Sequence, residues 1–162
     1  MRIPSVALAV GSLALVAAAT PLALAHGESQ AHHNSCASKF DDAQRQDMES
    51  FRDYDREAFV DVHHPDAVSV FAAGVVAVGL DEVMELLDSH FEAKVGKWSW
   101  TEVTREVHGC KTGFIVYRTH IERPGLSRWA LNTVTYTYEH GRWLVVSDQG
   151  TAIEPPAPET DG

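Results

Sequence analysis

The fold class of this chain is decided by residues 97–151, KWSWTEVTREVHGCKTGFIVYRTHIERPGLSRWALNTVTYTYEHGRWLVVSDQGT. This stretch holds four segments rich in β-branched and aromatic residues, with turn-forming sequences between them. It therefore predicts four long strands, over Lys97–His108, Lys111–Glu122, Leu126–Tyr138 and Arg142–Thr151. Strands joined by such short turns pair antiparallel, so the second half of the chain predicts an antiparallel meander.

The residues before this stretch have helical periodicity. Ser38 followed by Asp41 is a helix-start signal. The stripe that follows is apolar except for one Asp and consists of Phe40, Ala43, Asp47, Phe51, Tyr54 and Ala58. A second helix is predicted over 55–62 and a third from Gly79, with a short hairpin around Gly74 between them. Helices followed by long strands indicate an α+β architecture, with the helices packed on one face of an antiparallel sheet.

Two segments resemble one known group of domains. Residues 66–83, DAVSVFAAGVVAVGLDEV, and residues 136–149, YTYEHGRWLVVSDQ, are similar to the first hairpin and the closing hairpin of SnoaL-like domains. These domains belong to the nuclear transport factor 2-like (NTF2-like) superfamily, which also holds ketosteroid isomerase, scytalone dehydratase and polyketide cyclases. The resemblance assigns residues 38–153 to a SnoaL-like domain. It implies a curved sheet wrapped round the N-terminal helices, forming a cone with an internal apolar pocket.

The residues outside this domain form three short segments. Residues 1–25 are interpreted as a cleaved signal peptide, because an uncharged run rich in Ala, Val and Leu ends in the small-x-small pattern Ala23-Leu24-Ala25. Pro21 and the shortness of the run disfavour the alternative, a membrane anchor. Residues 26–37 are then a flexible His-containing leader, and residues 154–162 are a Pro-rich acidic tail. We therefore expect a secreted or periplasmic protein.

The chain has two cysteines, Cys36 and Cys110. Export to an oxidising compartment favours a disulfide between them. The alternative is a reactive thiol, which would leave the other cysteine without a role.

The charge balance and the missing motifs exclude several classes of function. Lys and Arg number 13 against 23 Asp and Glu, a net charge of −10, so we expect neither nucleic acid nor a membrane as partner. The sequence has no phosphate-binding loop and no G-x-S-x-G, H-E-x-x-H or C-x-x-C motif. No metal or other cofactor is expected: His26, His32 and His33 could chelate a metal but are more simply solvated, and the adjacent His63 and His64 point apart.

The resemblance locates the catalytic positions of ketosteroid isomerase-like domains in this chain. The general-base position falls on Phe71, the tyrosine of the first helix on Asp47, and the second acid near Val134. Two of these three side chains cannot transfer protons, so steroid-type isomerisation by that arrangement is not expected. SnoaL-like chains also often have a histidine where this chain has Gln149.

Three polar residues remain as candidates for acid/base catalysis. Asp47 lies on the stripe of the first helix, and burial in the cone would raise the pKa of its carboxyl. Alternatively, Asp47 lies at the edge of the helix, where its carboxylate reaches water or pairs with an Arg. His90 ends the stripe of the third helix, and His120 shares a strand face with Arg118. Each histidine is either a general base or a satisfied core or rim residue.

The other pocket candidates are aromatic and amide side chains on the same elements. They are Phe51, Tyr54, Trp98, Trp100, Tyr117, Asn132, Tyr136 and Gln149. A shift of one residue inverts the inward face of a strand, so the list depends on where bulges fall. The opposite parity of Trp100 and Val103 predicts one such bulge near Thr101. The tryptophans fit core packing or, alternatively, stacking on a ligand.

Two functions are compatible with these residues. The apolar side chain at Phe71 favours a non-catalytic module that binds a small apolar molecule or dimerises. Asp47 and the histidines favour the alternative, a cofactor-free acid/base enzyme (isomerase, cyclase, dehydratase or hydrolase) acting on a small apolar substrate. A homodimer is expected by analogy with the superfamily. A raised pKa at Asp47 would distinguish the two, since a binding module does not need a perturbed carboxyl.

Overall fold

The structure is a computed structural model that describes residues 22–156, with side chains from Cys36 onward. Its elements, in chain order, are α1 (Leu22–Asp53), α2 (Arg56–Val62), β1 (His63–Val70), β2 (Val76–Val78), α3 (Leu80–Ala93), β3 (Lys97–His108), β4 (Thr112–Arg123), β5 (Leu126–Glu139) and β6 (Arg142–Ile153). The predicted α+β class is confirmed, and the four long strands lie within two residues of their predicted ends.

The six strands of the described chain form one curved, unclosed sheet in the order β2-β1-β6-β5-β4-β3. The meander β3 to β6 and the hairpin β1–β2 pair antiparallel, as predicted. The pairing of β1 with β6 is parallel, so the prediction of a wholly antiparallel sheet is corrected to a mixed one. The reason is topological: α3 and the four strands β2 to β5 separate β1 from β6, and the chain returns beside β1 in the same direction.

Two irregularities bend the long strands. The register of β3 against β4 shifts between Glu102 and Thr104, close to the bulge predicted near Thr101. The register of β5 against β6 shifts between Thr135 and Tyr136, where β6 carries the extra residue Val146. Bulges of this kind increase local twist and reverse the alternation of side chains beyond them.

The short helices begin and end where local chemistry requires. The Asp55 carboxylate caps α2 by accepting a hydrogen bond from the backbone N–H of Ala58 at 3.0 Å. Gly79 precedes α3 with a φ of +92°, a conformation that glycine adopts without strain. The first residue of each helix lies within one residue of the predicted start.

Helix α1 begins earlier than the sequence predicts. A helix start was expected at Ser38 after a flexible leader, whereas the structure continues α1 from Leu22 through residues 26–37. The Ala, Leu, Glu and Gln residues of this segment are good helix formers. Residues 1–21 of the predicted signal peptide and residues 157–162 of the predicted tail lie outside the described residues. None of the helices in residues 22–156 has the length and apolar character that crossing a bilayer requires.

The main core lies between α1 and the concave face of the sheet. Phe40 of α1 makes edge-to-face contacts with Tyr136 and Trp143, at ring distances of 5.1 and 5.0 Å. The Trp143 indole N–H donates to the backbone carbonyl of Cys36 at 2.7 Å. The predicted disulfide between Cys36 and Cys110 is present, with Cα atoms 5.7 Å apart. Together these contacts fix α1 across the sheet, and the disulfide is compatible with the predicted secreted or periplasmic location.

Candidate functional site

A cavity of about 150 Å³ lies between α1, the start of β1 and the concave face of the sheet. Most of its wall is apolar, formed by Met48, Phe51, Phe59, Phe71, Leu87, Trp98 and Val134. Its polar wall is formed by Asp47, His63, Ser69, Asn132 and Asp148. An apolar chamber with a few converging polar groups is the usual form of a small-molecule site.

Asp47 is the carboxyl that α1 presents to the cavity. Only 5% of the residue is exposed, and its Oδ2 accepts a hydrogen bond from the Tyr136 hydroxyl at 2.8 Å. Burial raises the pKa of Asp47 from 3.8 to about 7, and the hydrogen bond from Tyr136 partly opposes that rise. The structure therefore places Asp47 in the environment that the periodicity of α1 predicted.

A second carboxyl, that of Asp148 on β6, lies on the same wall. The Asn132 amide donates to Asp148 Oδ1 at 3.4 Å, while the Asn132 carbonyl oxygen accepts from the Thr119 hydroxyl at 2.8 Å. Burial and then the negative charge of Asp47 raise the pKa of Asp148 from 3.8 to about 7, against the effect of Asn132. The two carboxyls are thus close enough for the ionisation of one to disfavour the ionisation of the other.

Near neutral pH this pair holds about one proton, because two interacting carboxyls with similar pKa values titrate as a unit. The hydrogen bond from Tyr136 stabilises the ionised form of Asp47, whereas the charge of Asp47 stabilises the protonated form of Asp148. The hydrogen bond from Asn132 likewise stabilises the ionised form of Asp148, so the two carboxyls share the proton, and one is ionised while the other is protonated. The cavity then contains one proton acceptor and one proton donor on the same wall.

His63 provides a third titratable group at this wall. Its Nδ1 lies 2.7 Å from the carbonyl oxygen of Phe59, and only a protonated Nδ1 can donate there. Burial lowers the pKa of His63 to about 4, so the ring is neutral at pH 7. Its Nε2 then carries a lone pair, 3.9 Å from Asp47 Oδ1. That separation is too long for a direct hydrogen bond, but one hydroxyl group placed to the side can contact both atoms.

Tyr117 lies behind Asp47 on the inward face of β4. The residue is fully buried, and both burial and the charge of Asp47 raise the pKa of its hydroxyl. Burial and the charge of Asp47 also raise the pKa of Tyr136. Both phenols therefore stay protonated, and any negative charge near them resides on a carboxyl.

Several predicted site residues come together here. Phe51, Trp98 and Asn132 line the cavity beside Asp47. Tyr136 contacts the Asp47 carboxyl directly. The common inward face of Asn132, Val134 and Tyr136 on β5 is as the alternation predicts.

The two histidines predicted as catalytic lie elsewhere. His90 lies outside the cavity wall, stacked on Phe51 at a ring distance of 3.9 Å with its Nε2 2.8 Å from the Phe51 carbonyl oxygen. Burial lowers the pKa of His90, which is half-buried between α3 and α1. His120 faces the opposite side of the sheet from Tyr117, where it stacks on Trp129 and contacts the Ser127 hydroxyl at 2.9 Å. Both histidines are satisfied by these contacts, so their predicted place at the site is corrected.

Five of the predicted pocket residues lie off the cavity wall. Tyr117 and Tyr136 lie behind Asp47, and the other three lie farther away. The Tyr54 hydroxyl donates to the Gly96 carbonyl oxygen at 2.8 Å and ties the end of α1 to the loop before β3. Trp100 packs against the main core beneath the guanidinium of Arg52, at 5.4 Å. Gln149 is exposed, because the extra residue in β6 turns it away from the concave face.

Sequence reasoning missed Asp148 and His63 as members of the site. The same bulge explains the first omission: uniform alternation from the buried Trp143 and Val145 would point Asp148 outward. The sequence offers His63 only as part of a metal pair with His64, which adjacent residues cannot form because their side chains point apart. The structure agrees, since His64 lies near the carboxylates of Asp66 and Glu139. Within residues 22–156, no cluster of three or more His, Cys, Asp or Glu is arranged to hold a metal ion.

No protein-family model matches the sequence, and no curated protein sequence matches it. Solved structures do match, at low sequence identity. An NTF2-like protein of unknown function from Shewanella oneidensis is 14% identical, with a TM-score of 0.61 over 71% of this chain and 98% of that one. A ketosteroid isomerase-like protein from Erwinia carotovora atroseptica is 17% identical, with a TM-score of 0.61 over 71% and 94%. A candidate dehydratase of the NTF2-like family from Streptomyces avermitilis is 13% identical, with a TM-score of 0.63 over 76% and 99%.

Proposed function

We propose that this chain of NTF2-like fold is an exported, cofactor-free acid/base enzyme that moves protons within a small, mostly apolar molecule. One observation carries the proposal: the carboxyls of Asp47 and Asp148 share one wall of an otherwise apolar cavity. Burial keeps the pKa of each near 7, so an acid and a base are available together at neutral pH. A module that only binds apolar ligands gains nothing from one buried and one half-buried carboxyl, which destabilise the fold when they ionise.

The proposed reaction begins with ionised Asp47 as the base. Asp47 removes a proton from a carbon next to a substrate carbonyl, and the electron pair of the C–H bond moves toward the carbonyl oxygen. Protonated Asp148 then acts as the acid. Its proton goes either to a second carbon, which completes an isomerisation, or to a β-hydroxyl that leaves as water, which completes a dehydration. One proton is taken and one is given, and transfer of a proton from Asp47 back to Asp148, directly or through water, restores the starting state without a further reactant.

His63 acts in this proposal as a positioning residue for Asp47. Its neutral Nε2 lies 3.9 Å from Asp47 Oδ1 and can hold a substrate hydroxyl or water near that oxygen. Tyr136 fixes the other oxygen of Asp47 through its 2.8 Å hydrogen bond. Asp47 Oδ1 is thereby the oxygen left to accept a proton.

Two of the solved neighbours support proton-transfer chemistry by analogy. One is described as ketosteroid isomerase-like and another as a candidate dehydratase. The residue arrangement here differs from the ketosteroid isomerase-like one, because Phe71, at the expected base position, is an apolar part of the cavity wall. In the proposal Asp47 is the base and Asp148 is the acid instead.

The test uses hydrogen exchange, since the natural substrate is unidentified. Small cyclic ketones and β-hydroxyketones are incubated with the protein in D₂O, and proton NMR follows deuterium entry next to the carbonyl and loss of water. We expect exchange with the wild type, a maximum rate near pH 7, and a loss of at least tenfold in both Asp47→Asn and Asp148→Asn. Asp66→Asn is the matched control, since the Asp66 side chain is 92% exposed. Equal rates in all four proteins would refute the proposal.

The second candidate is a non-catalytic binding module, which the largely apolar cavity wall favours. This function predicts tight retention of an apolar molecule without exchange or elimination. Native mass spectrometry of protein purified from its own host would detect such a ligand. The same spectrum tests the homodimer that we propose by analogy with other NTF2-like proteins.

A further inference from the structure

A second chamber of about 330 Å³ adjoins the cavity. The two share six lining residues, Phe51, Ser69, Phe71, Trp98, Asn132 and Asp148. We call the second chamber the vestibule. A molecule whose reacting end lies between Asp47 and Asp148 would therefore extend through the vestibule.

Arg128 lies at the far end of the vestibule, where it is exposed to solvent. It is on β5 beside Ile121 of β4, and both line the chamber. Arg128 shares its face of β5 with Ala130 and Asn132, and four residues at about 3.3 Å each put its backbone roughly 13 Å from that of Asn132. The charge of Arg128 is not among the causes that shift the pKa of Asp148, which agrees with this separation.

The guanidinium of Arg128 has no ion pair and no hydrogen bond to any other residue within the described part of the chain. Among the described residues that line either chamber, it is the single Lys or Arg. The chain as a whole carries a net charge of −10. An unneutralised cation in a concave wall of such a protein marks a place where an anion is locally favoured.

The wall between Arg128 and Asp148 is built from small residues. Ala72, Ala130 and Gly150 line it. A Cβ on Gly150 would lie 3.2 Å from the Asn132 amide nitrogen and 3.3 Å from the backbone nitrogen of Ala72, so glycine allows these groups to approach. The small side chains leave an open apolar path between the cation and the carboxyls.

We propose that Arg128 is the residue that selects the ligand: it binds the anionic group of an organic anion whose apolar body occupies the vestibule and whose other end reaches Asp47 and Asp148. The anionic group is a carboxylate, sulfonate or phosphate, all of which accept paired hydrogen bonds from a guanidinium. This inference rests on the proposed function for the identity of the reacting end. It adds the charge of the substrate and a length set by the separation of roughly 13 Å between Arg128 and Asn132 along β5.

The test measures binding and needs no turnover. The probes are 4-phenylbutanoate and 4-phenylbutan-1-ol, which have the same apolar body and differ in charge. Isothermal titration calorimetry compares wild type, Arg128→Gln and Arg118→Gln. Arg118 is the matched control, because it lies on the neighbouring strand and is exposed, as Arg128 is, but lines neither chamber.

We expect wild type and Arg118→Gln to bind the anion about tenfold more tightly than the alcohol, and Arg128→Gln to lose that preference. Ala130→Leu should weaken both probes by blocking the vestibule. Equal affinity of wild type for the two probes, equal effects of the two Arg variants, or no binding of either probe to wild type would each overturn the inference. Asp148→Asn separates the two proposals: it should abolish proton exchange and keep the preference for the anion.

Discussion

Replacing Asp47 by Asn should stabilise the protein, and more so as the pH rises. In the unfolded chain Asp47 ionises at its ordinary pKa near 3.8, whereas burial raises the pKa in the fold to about 7. Between these pH values the folded state keeps a proton that the unfolded state has released, so stability falls as pH rises toward 7. The asparagine of the variant does not ionise, so it has no such loss, and its carbonyl oxygen could still accept the hydrogen bond from Tyr136. At 1.36 kcal/mol for each pH unit, the stability of the variant relative to wild type should increase by about 2 to 3 kcal/mol between pH 5 and pH 7.

Urea denaturation at pH 5 and at pH 8 measures this gain, with Asp66→Asn as the control for the loss of one surface charge. His63, whose pKa is lowered to about 4, gives the opposite trend below pH 6.5, but it is present in both proteins and cancels in the comparison. Asp148 adds to the gain, because removing the charge of Asp47 lowers the pKa of Asp148. A variant destabilised equally at both pH values would show that Asp47 is a structural partner of Tyr136. The enzyme proposal would then lose its base.

Three further outcomes follow from contacts described above. Unfolded, unreduced protein should contain no free thiol, and two titratable thiols would contradict the disulfide. Replacing Cys36 and Cys110 by Ser should lower the unfolding free energy by about 4 kcal/mol, because the disulfide closes a loop with a sequence separation of 74. His90→Ala should lower the free energy of unfolding, measured by urea denaturation, by about 1 to 2 kcal/mol, because the contacts with Phe51 are lost. The pH optimum of proton exchange should stay the same in this variant, and a shifted optimum would indicate that His90 belongs to the site. N-terminal sequencing of the secreted protein should begin at His26, and a retained Met1 would refute export by a cleaved signal peptide.

The strands were predictable because their signals are local. β3 has the bounds that its residue types indicate, and turns with Gly at 109, 125 and 141 separate the four long strands. The inward position of Asp47 also follows from local spacing, since one helical stripe contains Phe40, Ala43 and Phe51. The parallel pairing of β1 with β6 depends on how distant segments return to each other. No local pattern carries that information.

The composition of the site was less predictable, and the bulge in β6 is the main reason. The extra residue Val146 reverses the alternation, so Asp148 points inward and Gln149 outward, opposite to what Trp143 and Val145 imply. A bulge of this kind depends on the partner strand as much as on its own residues. His120 shows a related difficulty, because the sequence of β4 does not indicate which of its two faces is buried. Ile115 and Tyr117 are buried, so His120 lies on the opposite face.

Contacts at Cys36 hold α1 to the sheet and separate the N-terminal part of the helix from the part that carries Asp47. The disulfide, the indole hydrogen bond from Trp143 and the packing of Phe40 all act at or just after this position, between the N-terminal part of the helix and Asp47. Bending, fraying or proteolytic trimming of residues 22–35 should therefore leave the position of the Asp47 carboxyl, 11 residues after Cys36, unchanged. Affinity tags, reporter domains or surface tethers can accordingly be attached between His26 and Cys36 with the geometry around Asp47 preserved. The N-terminus of the mature protein is therefore a suitable point for immobilising it.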